Sequence, residues 1–86
     1  VTRILYFTAE WCGPCRKFGP VLAAQASARC LDVERVDIDA DPGLAQAHNV
    51  MSVPTVVVVT DGEAVDRFGA IAPTALRDRL EAACGR

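Results

Sequence analysis

The sequence is poor in the residues that mark several functional classes. It holds one histidine, one methionine, one tryptophan and one tyrosine in 86 residues. It has no His-X3-5-His pattern and no second Cys-X-X-Cys, so the spacing of a four-ligand zinc site is missing. There is no basic surplus either: nine Lys and Arg stand against eleven Asp and Glu, a net charge of −2. Nothing in that balance attracts a phosphate backbone, which argues against a nucleic-acid partner. Long apolar runs are lacking. The valine run Val56 to Val59 is far too short to cross a bilayer. Arg3 is the one charge ahead of Ile4-Leu5-Tyr6-Phe7, and that run lacks the length of a signal peptide. The chain is read as cytoplasmic. With no linker, repeat or low-complexity stretch and 51% hydrophobic residues, residues 1–86 are read as one domain with a real core.

The pattern of what remains predicts seven elements. Arg3 to Thr8 is a strand rich in Ile, Tyr and Phe. From Gly13 to about Arg29, Phe18, Val21, Leu22 and Ala26 recur at helical spacing. Pro14 sits in the first turn, where its missing N–H costs nothing, and Pro20 predicts a kink near Arg16. Leu31 to Ile38 alternates as a second strand. Asp41-Pro42 reads as a helix N-cap and first residue, with the helix running to His48 and stopping at Asn49. Thr55 to Thr60 contains four consecutive valines and predicts a strand buried on both faces. Asp61-Gly62 is a two-residue hairpin turn into Glu63 to Phe68. Pro73 opens a last helix whose Leu76, Leu80, Ala83 and Cys84 share a face. Right-handed crossovers would make the first three strands parallel, with the hairpin adding an antiparallel edge.

Within this order, Trp11-Cys12-Gly13-Pro14-Cys15 falls at the first strand-to-helix junction. Thiols three residues apart lie about one helical turn from each other, close enough to alternate between dithiol and disulfide. The first of them meets the unpaired N–H groups and positive dipole end of a helix. That environment favours the thiolate, which is the form that attacks. A disulfide across one turn closes almost no loop, so its value is chemical. Two structural disulfides are unnecessary in a chain this apolar. Zinc would have to draw on Cys30, Cys84 or His48, whose spacing does not suit it. Cys30 and Cys84 read as small buried or helix-end hydrophobes, and His48 as a partner of a helix dipole.

These elements resemble the thioredoxin family. The resemblance is carried by Ala9-Glu10-Trp11-Cys12-Gly13-Pro14-Cys15, Val36-Asp37-Ile38-Asp39, Ser52-Val53-Pro54-Thr55, Asp61-Gly62 and Phe68-Gly69-Ala70. It implies a minimal thioredoxin-like α/β fold, β-α-β-α-β-β-α, with a four-stranded mixed sheet and helices on both faces. It also implies a small thiol–disulfide oxidoreductase, a protein-disulfide reductase serving electron transport and cell redox homeostasis. Cys12 is then the exposed nucleophile and Cys15 the resolving thiol beneath it. The Val53–Pro54 bond is expected to be cis. Val53 offers its backbone N–H and C=O to an extended substrate segment. Trp11, Gly13, Pro14, Met51, Ser52, Pro54, Gly69 and Ala70 line the same groove, Gly69 leaving room for the substrate backbone. The implied protein is a monomer with no metal and no cofactor of its own. Its implied partners are disulfide-bearing proteins and an NADPH-dependent flavoprotein thioredoxin reductase.

Three features depart from the family pattern. Full-length thioredoxins carry a strand and helix ahead of the strand at Arg3, so Leu31 to Ile38 is expected to be an edge guarded by Glu34, Arg35 and Asp37. The family's buried acid, one residue before Phe7, is Tyr6, and a phenol is a poor proton acceptor in the neutral range. A family tryptophan two residues after that acid is Thr8. Activation of Cys15 then falls to water or another group. Two other readings use the same fold. One is a glutaredoxin-like electron donor to ribonucleotide reductase, against which stands the lack of a Gly-Gly followed by paired acids. The other is a non-catalytic partner-binding subunit.

Overall fold

The computed structural model describes residues 1–85. In chain order the elements are β1 (Thr2–Thr8), α1 (Gly13–Ala28), β2 (Val33–Asp37), α2 (Pro42–Ala47), β3 (Thr55–Thr60), β4 (Glu63–Phe68) and α3 (Pro73–Cys84). The strands form one sheet in the order β2-β1-β3-β4. β1 and β2 are parallel, with Tyr6 opposite Arg35 and Thr8 opposite Asp37. β3 runs antiparallel to both β1 and β4.

The direction of β3 corrects the expectation of three parallel strands. β2 ends beside Thr8 and β3 begins beside Phe7, at the same end of the sheet. The helix between them has six residues, a rise of roughly 9 Å. Carrying the chain back along the seven residues of β1 would need about 23 Å. The connection therefore turns over at the end it started from, and β3 enters reversed. β2 and β4 are the two edges of the sheet formed by the described residues, and β2 carries the charges expected of an edge.

Alternation along the inner strands divides the core in two. Ile4, Tyr6, Val56 and Val58 pack with Cys15, Phe18, Leu22 and Ala26 of α1 and Leu76, Leu80 and Ala83 of α3. Leu5, Phe7, Val57 and Val59 face the opposite side with Ala45 of α2. Helices thus cover both faces, and the valine strand is buried on each.

The ends of the elements follow from local chemistry. Asp41 caps α2 through a 3.1 Å bond from the Leu44 N–H to its Oδ1. Asn49 (φ 55°) closes the same helix in the left-handed region, with Val50 N–H reaching Ala45 O at 2.9 Å. Cys30 does the same for α1 at φ 56°, with Leu31 N–H on Ala26 O at 2.9 Å. This Schellman end usually takes glycine. Asp61 and Gly62 hold φ of 52° and 83°, the pair of positive values a type I′ hairpin turn requires.

Candidate active site

The redox pair is built by the turn between β1 and α1. Cys12 N–H donates to Ala9 O at 3.1 Å, folding the chain back after the strand. Cys12 is then the N-cap of α1, in extended backbone, and its Sγ accepts from Cys15 N–H at 3.2 Å. Gly13 and Pro14 form the first turn, where proline's missing N–H leaves no bond unmade. Cys12 and Cys15 are joined as a disulfide with Cα atoms 5.3 Å apart, inside the range a disulfide needs. No acidic residue lies in the first turn of α1, so nothing there opposes a thiolate at the dipole's positive end.

The expectation of an exposed Cys12 over a covered Cys15 needs correction for this oxidised form. Each residue is 4% exposed. The bond ties the Cys12 sulfur to a cysteine whose neighbours are the buried Ala9 and Phe18. Trp11 beside it is 66% exposed, its indole N–H donating to Asp39 Oδ2 at 2.8 Å. Sequence reasoning did not single out Asp39 for this role.

The Val53–Pro54 bond is cis. Thr55 Oγ1 donates to Ser52 O at 2.7 Å across it. Val53 is half-buried, packed against both halves of the core. A Cβ on Gly69 would stand 3.4 Å from Pro54 O, so the chain just past β4 comes close to this segment at a residue with no side chain. The residues assigned to the groove divide between two hollows. Met51, Ser52, Pro54 and Gly69 line one of about 250 Å³. Pro14 and Ala70 line another of about 300 Å³, with Lys17, Phe18 and Ile71. Trp11, Gly13 and Val53 line neither.

A larger cleft, about 700 Å³, opens behind the pair along the β2 edge. Tyr6, Glu10, Cys15, Arg16, Gly19 and Arg35 are among its walls. Tyr6 is 4% exposed, and its hydroxyl donates to Cys15 O at 2.9 Å. Its ring meets Phe18 with centroids 6.2 Å apart. Arg16 donates to Glu10 O at 2.8 Å.

The other two cysteines stand at helix ends, as one of the two readings had it, and the buried alternative, with the packing expected of Cys84, is corrected. Cys30 and Cys84 are free and exposed. Cys84 ends α3, past the last buried residue Ala83, and its thiol reaches only Arg29 O at 3.9 Å. Among the described residues, no three His, Cys, Asp or Glu side chains converge to hold a metal. Among the same residues, no helix is long and apolar enough to cross a membrane.

Residues 2–82 match the family model for thioredoxin. A Streptomyces coelicolor protein provisionally named thioredoxin 2 is 44% identical over 77 residues, covering 87% of this chain and 58% of its own length. A thioredoxin of Staphylococcus epidermidis is 38% identical over 73 residues, covering 83% of this chain and 70% of its own. A point mutant of thioredoxin from Halobacterium salinarum superposes with a TM-score of 0.89 at 36% identity, over 96% of this chain and 74% of its own. Fasciola hepatica thioredoxin superposes at 0.88 with 34% identity, over 95% of this chain and 80% of its own.

Proposed function

We infer, from the premise that this chain belongs to the thioredoxin family, that it is a thiol–disulfide oxidoreductase working as a protein-disulfide reductase. The observation that carries the reading is the Cys12–Cys15 disulfide on the first turn of α1. In the reduced protein the Cys12 thiolate attacks one sulfur of a substrate disulfide. A Cys12–substrate disulfide forms and the other substrate sulfur leaves as a thiolate. Cys15 then loses its proton and its sulfur attacks that of Cys12. The Cys12–Cys15 bond closes, the second substrate thiolate departs, and two electrons have passed from protein to substrate.

The Cys15 N–H already directed at Cys12 Sγ is placed to hold the Cys12 thiolate before attack. Substrate sits over the segment from Met51 to Pro54. Val53 presents its backbone as an added-strand partner, and Trp11 and Ala70 flank it. Gly69 leaves the approach open beside Pro54 O. Disulfide-bearing proteins in the cytoplasm are the substrates. An NADPH-dependent flavoprotein thioredoxin reductase returns the electrons.

Reduction of insulin disulfides with dithiothreitol as donor tests this reading. Cys12→Ser should abolish turnover, and Cys15→Ser should stop it at a trapped mixed disulfide. Turnover that survives Cys12→Ser sinks the assignment. Turnover driven by glutathione and its reductase, but not by thioredoxin reductase, would replace it with the glutaredoxin-like donor.

A further inference from the structure

We propose that Tyr6 is a positioning residue for the second step of exchange, the attack of Cys15 on the mixed disulfide. This rests on the oxidoreductase reading above. The tyrosine stands where a proton acceptor was expected, yet its hydroxyl is spent as a donor on the Cys15 carbonyl, 2.9 Å away. That bond joins the middle of the sheet to the backbone of the resolving cysteine itself.

The tether matters because α1 lacks one ladder bond just beyond Cys15. Pro20 lies within α1 and has no N–H to give the carbonyl of Arg16, four residues earlier. One rung beside Cys15 is therefore missing. During the first step Cys12 bonds to substrate, so the disulfide that fixes Cys15 in the oxidised protein is absent. The backbone of Cys15 must then be held by other means. Tyr6, itself buried and packed on Phe18, supplies a fixed point.

Gly19 lies against the phenol. A Cβ there would lie 3.4 Å from the Tyr6 hydroxyl and 3.5 Å from Cε2. A methyl group there would meet the phenol at about ordinary contact distance, and a longer side chain would crowd it. The cleft that Cys15 shares with Tyr6 and Arg35 gives the departing thiol proton a route to solvent. The hydroxyl orients the sulfur and does not take that proton. Misplacing a nucleophile by a fraction of an ångström slows its attack, whereas the N–H that meets Cys12 Sγ belongs to the preceding peptide unit, so the first attack is affected less.

A symmetrical aromatic disulfide that liberates one coloured thiolate per step separates the two attacks in a single stopped-flow trace. The parent carries Cys30→Ser and Cys84→Ser, since both exposed thiols would add to the signal. Tyr6→Phe keeps the ring and removes the hydroxyl. Its second phase is expected to slow about three- to tenfold, as for one lost hydrogen bond, with the first phase within about twofold. An unchanged second phase in Tyr6→Phe, or equal slowing of both phases, overturns the proposal. No first phase in the parent overturns the oxidoreductase reading and this one with it.

Discussion

Leu22→Ala tests the packing that places the redox pair. Leu22 has no solvent exposure and follows Cys15 and Phe18 on the buried face of α1. Truncating a fully buried leucine costs about 2–5 kcal/mol, with the upper values where the site cannot collapse. Here one wall is the sheet itself, through Ile4, Tyr6, Val56 and Val58, so about 3 kcal/mol is expected. A chain of 86 residues has roughly 4–13 kcal/mol of total stability. The loss is therefore large but leaves the protein folded at room temperature. At about 4–8 °C per kcal/mol for a domain of this size, Tm falls by roughly 12–24 °C. Val21, next in sequence and 37% exposed, is the control. Val21→Ala should cost about 0.5 kcal/mol. Thermal and urea unfolding of the oxidised proteins, followed by far-ultraviolet circular dichroism, measures both. Disulfide reduction well below the new Tm should stay within about twofold of the parent, because Leu22 lies about two turns from Cys15. Equal losses at the two positions would refute the assigned buried face, and with it the docking of α1. An unchanged Tm with lost activity would show that Leu22 acts in the chemistry.

Three other outcomes are expected. Asp41→Ala removes the acceptor of the Leu44 N–H and should lower stability by about 1 kcal/mol, read as a lower urea midpoint at constant slope. Cys30→Gly should raise stability by about 1 kcal/mol, because the left-handed backbone at φ 56° suits glycine and strains other residues; a lower midpoint would count against the helix end described. In the native oxidised protein, two thiols should react promptly with iodoacetamide, at Cys30 and Cys84. After reduction and unfolding all four cysteines should react, and peptide mass spectrometry that finds Cys12 or Cys15 among the prompt pair would contradict the disulfide.

What was legible in the sequence is what depends on neighbours along the chain. The Cys12–Cys15 pair, the Asp41 cap, the Asp61-Gly62 turn and the doubly buried valines each follow from a few adjacent residues. β3 was placed in the right span but the wrong direction. The crossover rule assumes a connection long enough to return along the sheet, and six helical residues are not. Cys84 shares a helical wheel position with buried residues, yet it lies past Ala83 where the core ends. A periodicity argument has no term for where the neighbouring layer stops. The Tyr6 bond to Cys15 O spans nine residues and depends on how α1 docks on the sheet. One signal was within reach: Tyr6 alternates with Leu5 and Phe7, so it shares the face of Ile4.

The exchange of an acid for Tyr6 alters more than proton transfer. A carboxylate at a position 4% exposed, among Phe18, Val56 and Ile4, would be costly in its charged form and would have its pKa raised. A phenol fills the same space with one polar atom, and the Cys15 carbonyl satisfies it. The core beside the redox pair is thereby uncharged, and no buried acid must ionise for the fold to persist. The corresponding loss is a built-in acceptor for the Cys15 proton. Water or another group must serve instead, and the cleft beside Cys15 is where it would reach the thiol. In this chain the residue behind the resolving cysteine acts on its position, and the cleft acts on its proton. Position thus falls to a side chain and proton release to an opening.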